Sequence, residues 1–293
     1  MARVQNFIEN ILQWQLKKLA SNKRSDAMAI YGPMNSDLPW LVRDKIEALG
    51  NRNTKLTILL DTGGGLVDSV EKTVEVLRHH YDHIDFIILG QAMSAGTVFA
   101  LSADNIYMNY FSRLGPIDPQ FYVDGKWIPV LGYLEKYEEL NQKSKISSIT
   151  PLEYGLVLKL DLADIHRYEQ AREHSVELLE KWLPAYKFKN WIETEEHGLT
   201  VTPEIKQKRA KDIGKMLNDT KKWHAHSRGI SMQTLQDEVG LRIEDLDQSD
   251  LTELHEIAKN FHTFAVDYIN TIQMSLLVRI VTYNPSEALD EKN

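Results

Sequence analysis

The sequence predicts an α/β fold built on a mostly parallel sheet, and three observations carry that expectation. Short apolar runs at residues 27–31, 56–60 and 86–89, and a further strand ending at Met108, are bounded by turn residues and read as buried strands. Stretches of helical period separate them, so each strand returns to the sheet by a right-handed crossover. From Leu131 onward the period is helical almost throughout, which adds a helical C-terminal region. The expected division is an amphipathic helix and polar linker over 1–25, a core over 26–190 and the helical region over 191–293.

At the N-terminus, Val4, Phe7, Ile8, Ile11, Leu12 and Leu16 recur at helical spacing. Asn, Glu, Gln and Lys interrupt every short apolar run there, so no secretory signal is read, and the helix is expected to pack on its own subunit. Residues 37–49 and 66–80 read as helices, each following a strand and a turn. His79, His80 and His83 lie at the end of the second. Adjacent histidines on a helix face different ways, and no carboxylate sits at ligand spacing, so no metal is expected. Residues 131–141, 151–183, 203–218, 232–238 and 251–274 complete the expected helices, several with proline at or near the start.

Composition sets broader limits. The 293 residues are 43% apolar and 26% charged, with a net charge of −8 and no cysteine. Disulfides, thiol catalysis and thiolate metal sites are excluded, and a reducing cytoplasm is expected. The acidic balance argues against a general nucleic-acid or anionic-membrane binder. Residues 86–101 form the longest apolar stretch, which is too short and too interrupted by Gln91 and Ser94 to span a bilayer, so no membrane anchor is visible.

Two strand-to-helix junctions hold the candidate chemistry. Ser94 follows the strand at 86–89 and opens a small-residue helix. There it is either an ordinary N-cap or a nucleophile beside backbone N–H groups and the positive end of a helix dipole. About thirty residues earlier, Asp61-Thr-Gly-Gly-Gly65 follows the strand at 56–60. In a parallel sheet both junctions share the carboxyl edge, and bare glycine backbone approaches a reacting carbonyl closely. Gly65 and Ala95 can then aim two N–H donors at one oxygen, with Gly64 beside them. A phosphate loop of the Walker kind is excluded because no Gly-Lys-Ser/Thr follows, and the spacing does not match a dinucleotide fingerprint.

Four segments in order, Leu59-Leu-Asp-Thr-Gly-Gly-Gly-Leu66, Ala92-Met-Ser-Ala-Gly-Thr97, Leu114-Gly-Pro-Ile-Asp-Pro-Gln120 and Trp223-His-Ala-His-Ser-Arg-Gly-Ile230, give the chain its likeness to a known group. It resembles the ClpP/crotonase superfamily and, within it, the serine dehydrogenase proteinases, which are ClpP-class, SppA-like serine peptidases. The resemblance implies a ClpP/crotonase-like sheet, Ser94 as nucleophile, and Gly65 and Ala95 as the oxyanion hole. It also implies a peptide or protein substrate, a homo-oligomer and no cofactor.

Two departures bear on the mechanism. Gly63 stands where such loops more often carry proline, and residues 114–119 lack the histidine that ClpP places there. The resemblance to Ser-Lys peptidases therefore turns the search for a base to Lys136, Lys143 and Lys145, which precede Thr150-Pro-Leu-Glu153; Lys143 is the first choice and Lys159 a lower one. A lysine serves as a base only where burial lowers its pKa.

The rigid loop at 114–120 reads as a cleft wall containing Pro116 and Asp118, the latter closing an Asx turn or orienting a lysine or substrate amine. Residues 121–130 read as a hairpin around Asp124-Gly125, suited to binding an extended peptide by strand addition. His224 and His226 face one way only if their segment is extended, and His226 and Arg228 lie either near the cleft or in the contact between C-terminal helices and core. Two other functions are open on this fold: a crotonase-type acyl-thioester enzyme, which needs a carboxylate base in the cleft, and a non-catalytic scaffold.

Overall fold

Apolar strands buried on both faces dictate the architecture, since such strands have no face to offer water. The computed structural model describes residues 2–123, 126–194 and 198–285. In chain order it holds α1 (Ala2–Lys23), β1 (Asp26–Tyr31), α2 (Leu38–Glu47), β2 (Lys55–Asp61), α3 (Val67–His80), β3 (His83–Ile88), β4 (Gln91–Ala92), α4 (Ala95–Ala100) and β5 (Asn105–Met108). There follow β6 (Arg113–Leu114), β7 (Gln120–Val123), β8 (Lys126–Pro129), α5 (Val130–Lys145), α6 (Pro151–Val157), α7 (Leu162–Trp182), a π-helical turn (Leu183–Lys187), α8 (Pro203–Leu217) and α9 (Thr220–Trp223). The chain continues through β9 (Ile230–Ser231), α10 (Met232–Asp237), β10 (Glu244–Asp245), α11 (Thr252–Ile272) and β11 (Leu277–Val281).

The central sheet runs β10-β5-β3-β2-β1-β11. Every pairing is parallel except β1 with β11. Alternation along the strands makes two cores. Met28, Ile30, Ile58, Leu60, Phe86 and Ile88 face α2, α3, α4 and the α7–α8 layer. Ala27, Ala29, Tyr31, Leu59 and Ile87 face α1 and α11, where Leu12, Leu16 and Leu19 meet Ala258, Phe261 and Ala265. The amphipathic α1 thus packs on its own chain. Among the described residues no helix is long and apolar enough to cross a membrane.

Three expectations differ from the structure. The polar stretch at 21–26 read as a linker is helix over its first half, where Lys23 ends α1 with its ammonium 2.8 Å from Asp85 and 2.8 Å from the Tyr107 hydroxyl. The helix read across 151–183 is two, because Asp161 turns out of helical conformation and its carboxylate accepts the Ala163 N–H at 2.8 Å, opening α7 afresh. Residues 191–293, expected as a helical region, also supply β9, β10 and β11 to sheets begun within 26–190. The hairpin is present as β7 and β8, although its turn residues Asp124 and Gly125 lie outside the described residues.

Lys23 belongs to a polar network at the amino end of the sheet. Burial pushes the Asp85 carboxyl up, but bonds with His83, Lys23 and Asn105 outweigh it and bring the group down to about 2. A carboxyl lowered by folding stabilises the fold above its unfolded pKa, and that stability is lost as pH falls toward the folded value. Asp85→Asn is expected to cost about 2 kcal/mol or more at pH 7. Urea unfolding should show the gap between variant and parent narrowing between about pH 4 and pH 2.

Candidate functional site

The site is assembled where the parallel pairing of β2 and β3 runs on beyond the strands. Thr62 bridges Ala92 in parallel: the Thr62 N–H donates to the Gln91 carbonyl at 2.9 Å, and the Met93 N–H donates to the Thr62 carbonyl at 3.0 Å. On the other side Gly65 bridges Met34, with Met34 N–H donating to Gly64 O at 2.9 Å and Leu66 N–H to Met34 O at 2.7 Å. Both bonds of this bridge use the residues flanking Gly65, so the Gly65 N–H faces away from Met34. It makes no hydrogen bond among the described residues.

Glycine is required here by conformation and by space. Gly64 and Gly65 have φ of +101° and +147°, a region closed to most side chains. A Cβ on Gly64 would lie 2.7 Å from the Met93 carbonyl oxygen, 2.9 Å from the Ser94 Cβ and 3.5 Å from the Ala95 nitrogen. The glycine loop therefore lies directly against the serine turn.

Ser94 precedes α4 with φ +53° and ψ −121° and makes no side-chain cap. The reading of this residue as an ordinary N-cap fails, since that role needs its oxygen on the N–H of the first turn. Instead a non-glycine residue, partly exposed, is held in a sparsely populated conformation. The amides of Gly96 and Thr97 bond Met93 O and Ser94 O, each at 2.8 Å. The Ala95 N–H has no partner among the described residues. The free Ala95 amide thus adjoins the serine, and the free Gly65 amide follows Gly64, which packs against it.

The loop at 113–118 is fixed to the same turn. β6 pairs with β4 on one side and β9 on the other. The fully buried Thr97 hydroxyl lies 2.7 Å from Ala92 O and 2.9 Å from Gly115 O, and it accepts the Gly115 N–H at 2.9 Å. A Cβ on Gly115 would sit 3.2 Å from the Ser94 nitrogen. Pro116 is buried in this wall, and the Ile117 N–H donates to Leu217 O, at the end of α8, at 3.0 Å.

Asp118, 2% exposed, is joined to the C-terminal region. Its carboxylate lies 2.9 Å from Nδ1 of His226, on the turn that leads into β9. A carboxylate only accepts, so Nδ1 carries the proton and Nε2 of a neutral ring keeps its lone pair. His224 and His226 do not face one way as they would in a strand: His224 is exposed at φ +63°, and His226 turns inward. Arg228 is exposed. The motif at 223–230 carried this signal in the sequence, but the pairing with Asp118 was not read there.

The lysines lie in a different setting. Lys143 Nζ is 2.6 Å from Glu153 and 3.0 Å from Glu139, and these bonds raise its pKa above the usual lysine range. Lys136 is exposed and 2.9 Å from Glu139, while Lys145 and Lys159 are exposed. None has the buried, unpaired setting that makes a lysine a base.

Residues 45–202, more than half of the chain, match the sequence profile of the ClpP-like SDH-type serine proteinases. The matched span includes Gly65, Ser94 and Asp118 and ends before His226. Two uncharacterized proteins of Methanocaldococcus jannaschii share local identity with the chain: MJ0137, 36% over 69 residues, and MJ1495, 34% over 88. These segments are 24% and 30% of this chain, and they span 24% and 29% of the relatives' own length. Among solved structures, a membrane-bound stomatin-specific protease, 1510-N, aligns at 14% identity and TM-score 0.43, covering 79% of this chain and 82% of that one. ClpP1 from Listeria monocytogenes aligns at 14% identity and TM-score 0.45, covering 82% and 98%.

The packing at Gly64 is directly testable. Gly64→Ala is expected to cost about 2 kcal/mol or more, because the new Cβ meets backbone oxygen in a conformation suited to glycine. Thermal unfolding should show this loss, whereas Gly63→Ala, whose Cβ would meet nothing within 4 Å, should unfold near the parent.

Proposed function

The chain belongs to the ClpP-like SDH-type serine proteinases, and from that premise we propose that it is a peptidase cleaving peptide bonds through an acyl-enzyme on Ser94. The observation that carries this reading is the uncapped, strained Ser94 with the glycine loop packed against it. Ser94 Oγ attacks the scissile carbonyl, and the Gly65 and Ala95 N–H groups bind the oxygen as it becomes an anion. Gly64 permits their close approach.

The proton of Ser94 passes to Nε2 of His226, and Asp118 holds the imidazole in the tautomer able to receive it. Collapse of the tetrahedral intermediate breaks the C–N bond, and His226 returns the proton to the leaving amine. Water then attacks the ester with the same base, releasing the new carboxylic acid and restoring the serine. Support for His226 in place of a lysine comes from its ordered bond to a buried carboxylate and from the β4-β6-β9 pairing that links its segment to the serine turn.

An extended peptide is the proposed substrate form, since β7 and β8 pair only with each other among the described residues and leave both outer edges free for strand addition. The acting species is proposed to be a homo-oligomer. The short α6 buries none of its residues, and Ile146, Leu152, Tyr154, Leu156, Leu158 and Leu162 are 47–77% exposed. Neighbouring Lys143 and Arg167 are paired within the chain, and so large an exposed apolar surface suits a second copy of the chain.

Two measurements test these points. Fluorophosphonate labelling followed by mass spectrometry should mark Ser94, disappear in Ser94→Ala, fall about a hundredfold or more in His226→Ala, and stay near the parent rate in Lys143→Ala. Loss in Lys143→Ala with retention in His226→Ala would return the base to the lysine. Light scattering after size exclusion should show an oligomer that Leu152→Asp/Leu158→Asp dissociates.

A further inference from the structure

Behind the glycine loop, on the sheet face that carries α1 and α11, three titratable side chains meet at the carboxyl ends of the strands. Asp61 closes β2, Tyr31 closes β1, and His262 projects from α11. The Tyr31 hydroxyl lies 3.1 Å from His262 Nδ1, which is 3.9 Å from Asp61 Oδ2. That same carboxylate oxygen accepts the Gln91 N–H at 3.3 Å. The Gln91 backbone is therefore held at two points, its N–H by Asp61 and its carbonyl by Thr62. Gln91 is three residues from Ser94, and Asp61 is four from Gly65.

Gly90 shows how closely the carboxylate is seated. A Cβ there would collide with Asp61 Oδ2 and approach His262 Cε1 to 3.2 Å, although Gly90 itself has no positive φ. A Cβ at this position would force the carboxylate to move. Burial pushes the Asp61 carboxyl above the usual range, with His262 partly countering it, and burial pushes the His262 imidazole down. The carboxylate is thus kept in an unfavourable setting by its neighbours, on the face of β2 opposite to the catalytic one.

We propose that Asp61, seated by Tyr31 and His262, is a positioning residue that clamps the oxyanion loop at 62–65 to the nucleophile turn at 91–95. Asp61 touches no reacting atom. It sets the distance between the Gly65 and Ala95 amides, on which stabilisation of the anion depends. This inference rests on the catalytic reading of Ser94.

The test compares Asp61→Ala, Asp61→Asn, Gly90→Ala and His262→Ala by fluorophosphonate labelling rate, peptidase kcat and KM, thermal unfolding, and hydrogen exchange over 61–66 and 91–96. Asp61→Ala is expected to lower the labelling rate and kcat about tenfold or more with KM little changed, because one misaligned oxyanion donor costs on that scale. Asp61→Asn should restore most of the rate, since its amide oxygen accepts the same N–H. Gly90→Ala, which keeps the carboxylate but displaces it, should resemble Asp61→Ala, and both should speed exchange in the two segments.

Parent-like labelling in a folded Asp61→Ala or Gly90→Ala overturns the clamp. Should those two fail to fold, His262→Ala decides: a slower rate with faster exchange in both segments supports the proposal, and parent behaviour overturns it. Absence of Ser94 labelling in the parent would instead overturn the peptidase reading, and the exchange data would then judge the clamp alone.

Discussion

The close approach of two stretches of backbone is the constraint on which this structure depends. The loop after β2 and the turn after β3 are joined as a continuation of the parallel sheet, and Gly64 leaves only enough room for Ser94 to lie against it. Side chains larger than hydrogen would separate them. The bonds that join the two loops, Thr62 N–H to Gln91 O and Met93 N–H to Thr62 O, leave the amides of Gly65 and Ala95 without partners among the described residues. The strained backbone of Ser94 is tolerated because the buried helix behind it and the Thr97 hydroxyl fix its neighbours.

The C-terminal third serves the same site. β11 covers the outer edge of β1, and α11 with α1 fills one face of the sheet. On the side of the serine turn, the end of α8 and β9 grip the loop that carries Asp118, and the turn before β9 brings in His226. The residues proposed for the reaction thus come from four separate parts of the chain. Their arrangement is only as rigid as the sheet pairings between those parts.

Much of the fold could be read directly from the sequence, because the strand segments at 27–31, 58–60 and 86–88 are buried on both faces and carry only apolar side chains. The glycine loop and the serine junction were equally legible, since few other residue types tolerate their backbone. The short strands were not. β9 and β10 have two residues each, too few for any period to register, and β11 lies beyond a long helical stretch whose period suggests that the helices continue. Lys143 presents a different case. Sequence order located three lysines in the expected region, but a lysine becomes a base through burial, and burial depends on whether its helix is covered. Here Glu139 lies one helical turn away and Glu153 reaches across from α6, so the ammonium is held charged at the surface.

By itself, the sequence determined the sheet, its crossovers, and the two junctions where bare backbone and a serine share one edge, because these are consequences of local pattern and of glycine's conformational freedom. Tertiary structure decided which titratable groups meet. Asp118 and His226 are 108 positions apart, and Tyr31 and His262 are 231 apart. Nothing in spacing or period links residues at such separations. Only the closing of the sheet by strands from the far end of the chain brings them within hydrogen-bond distance.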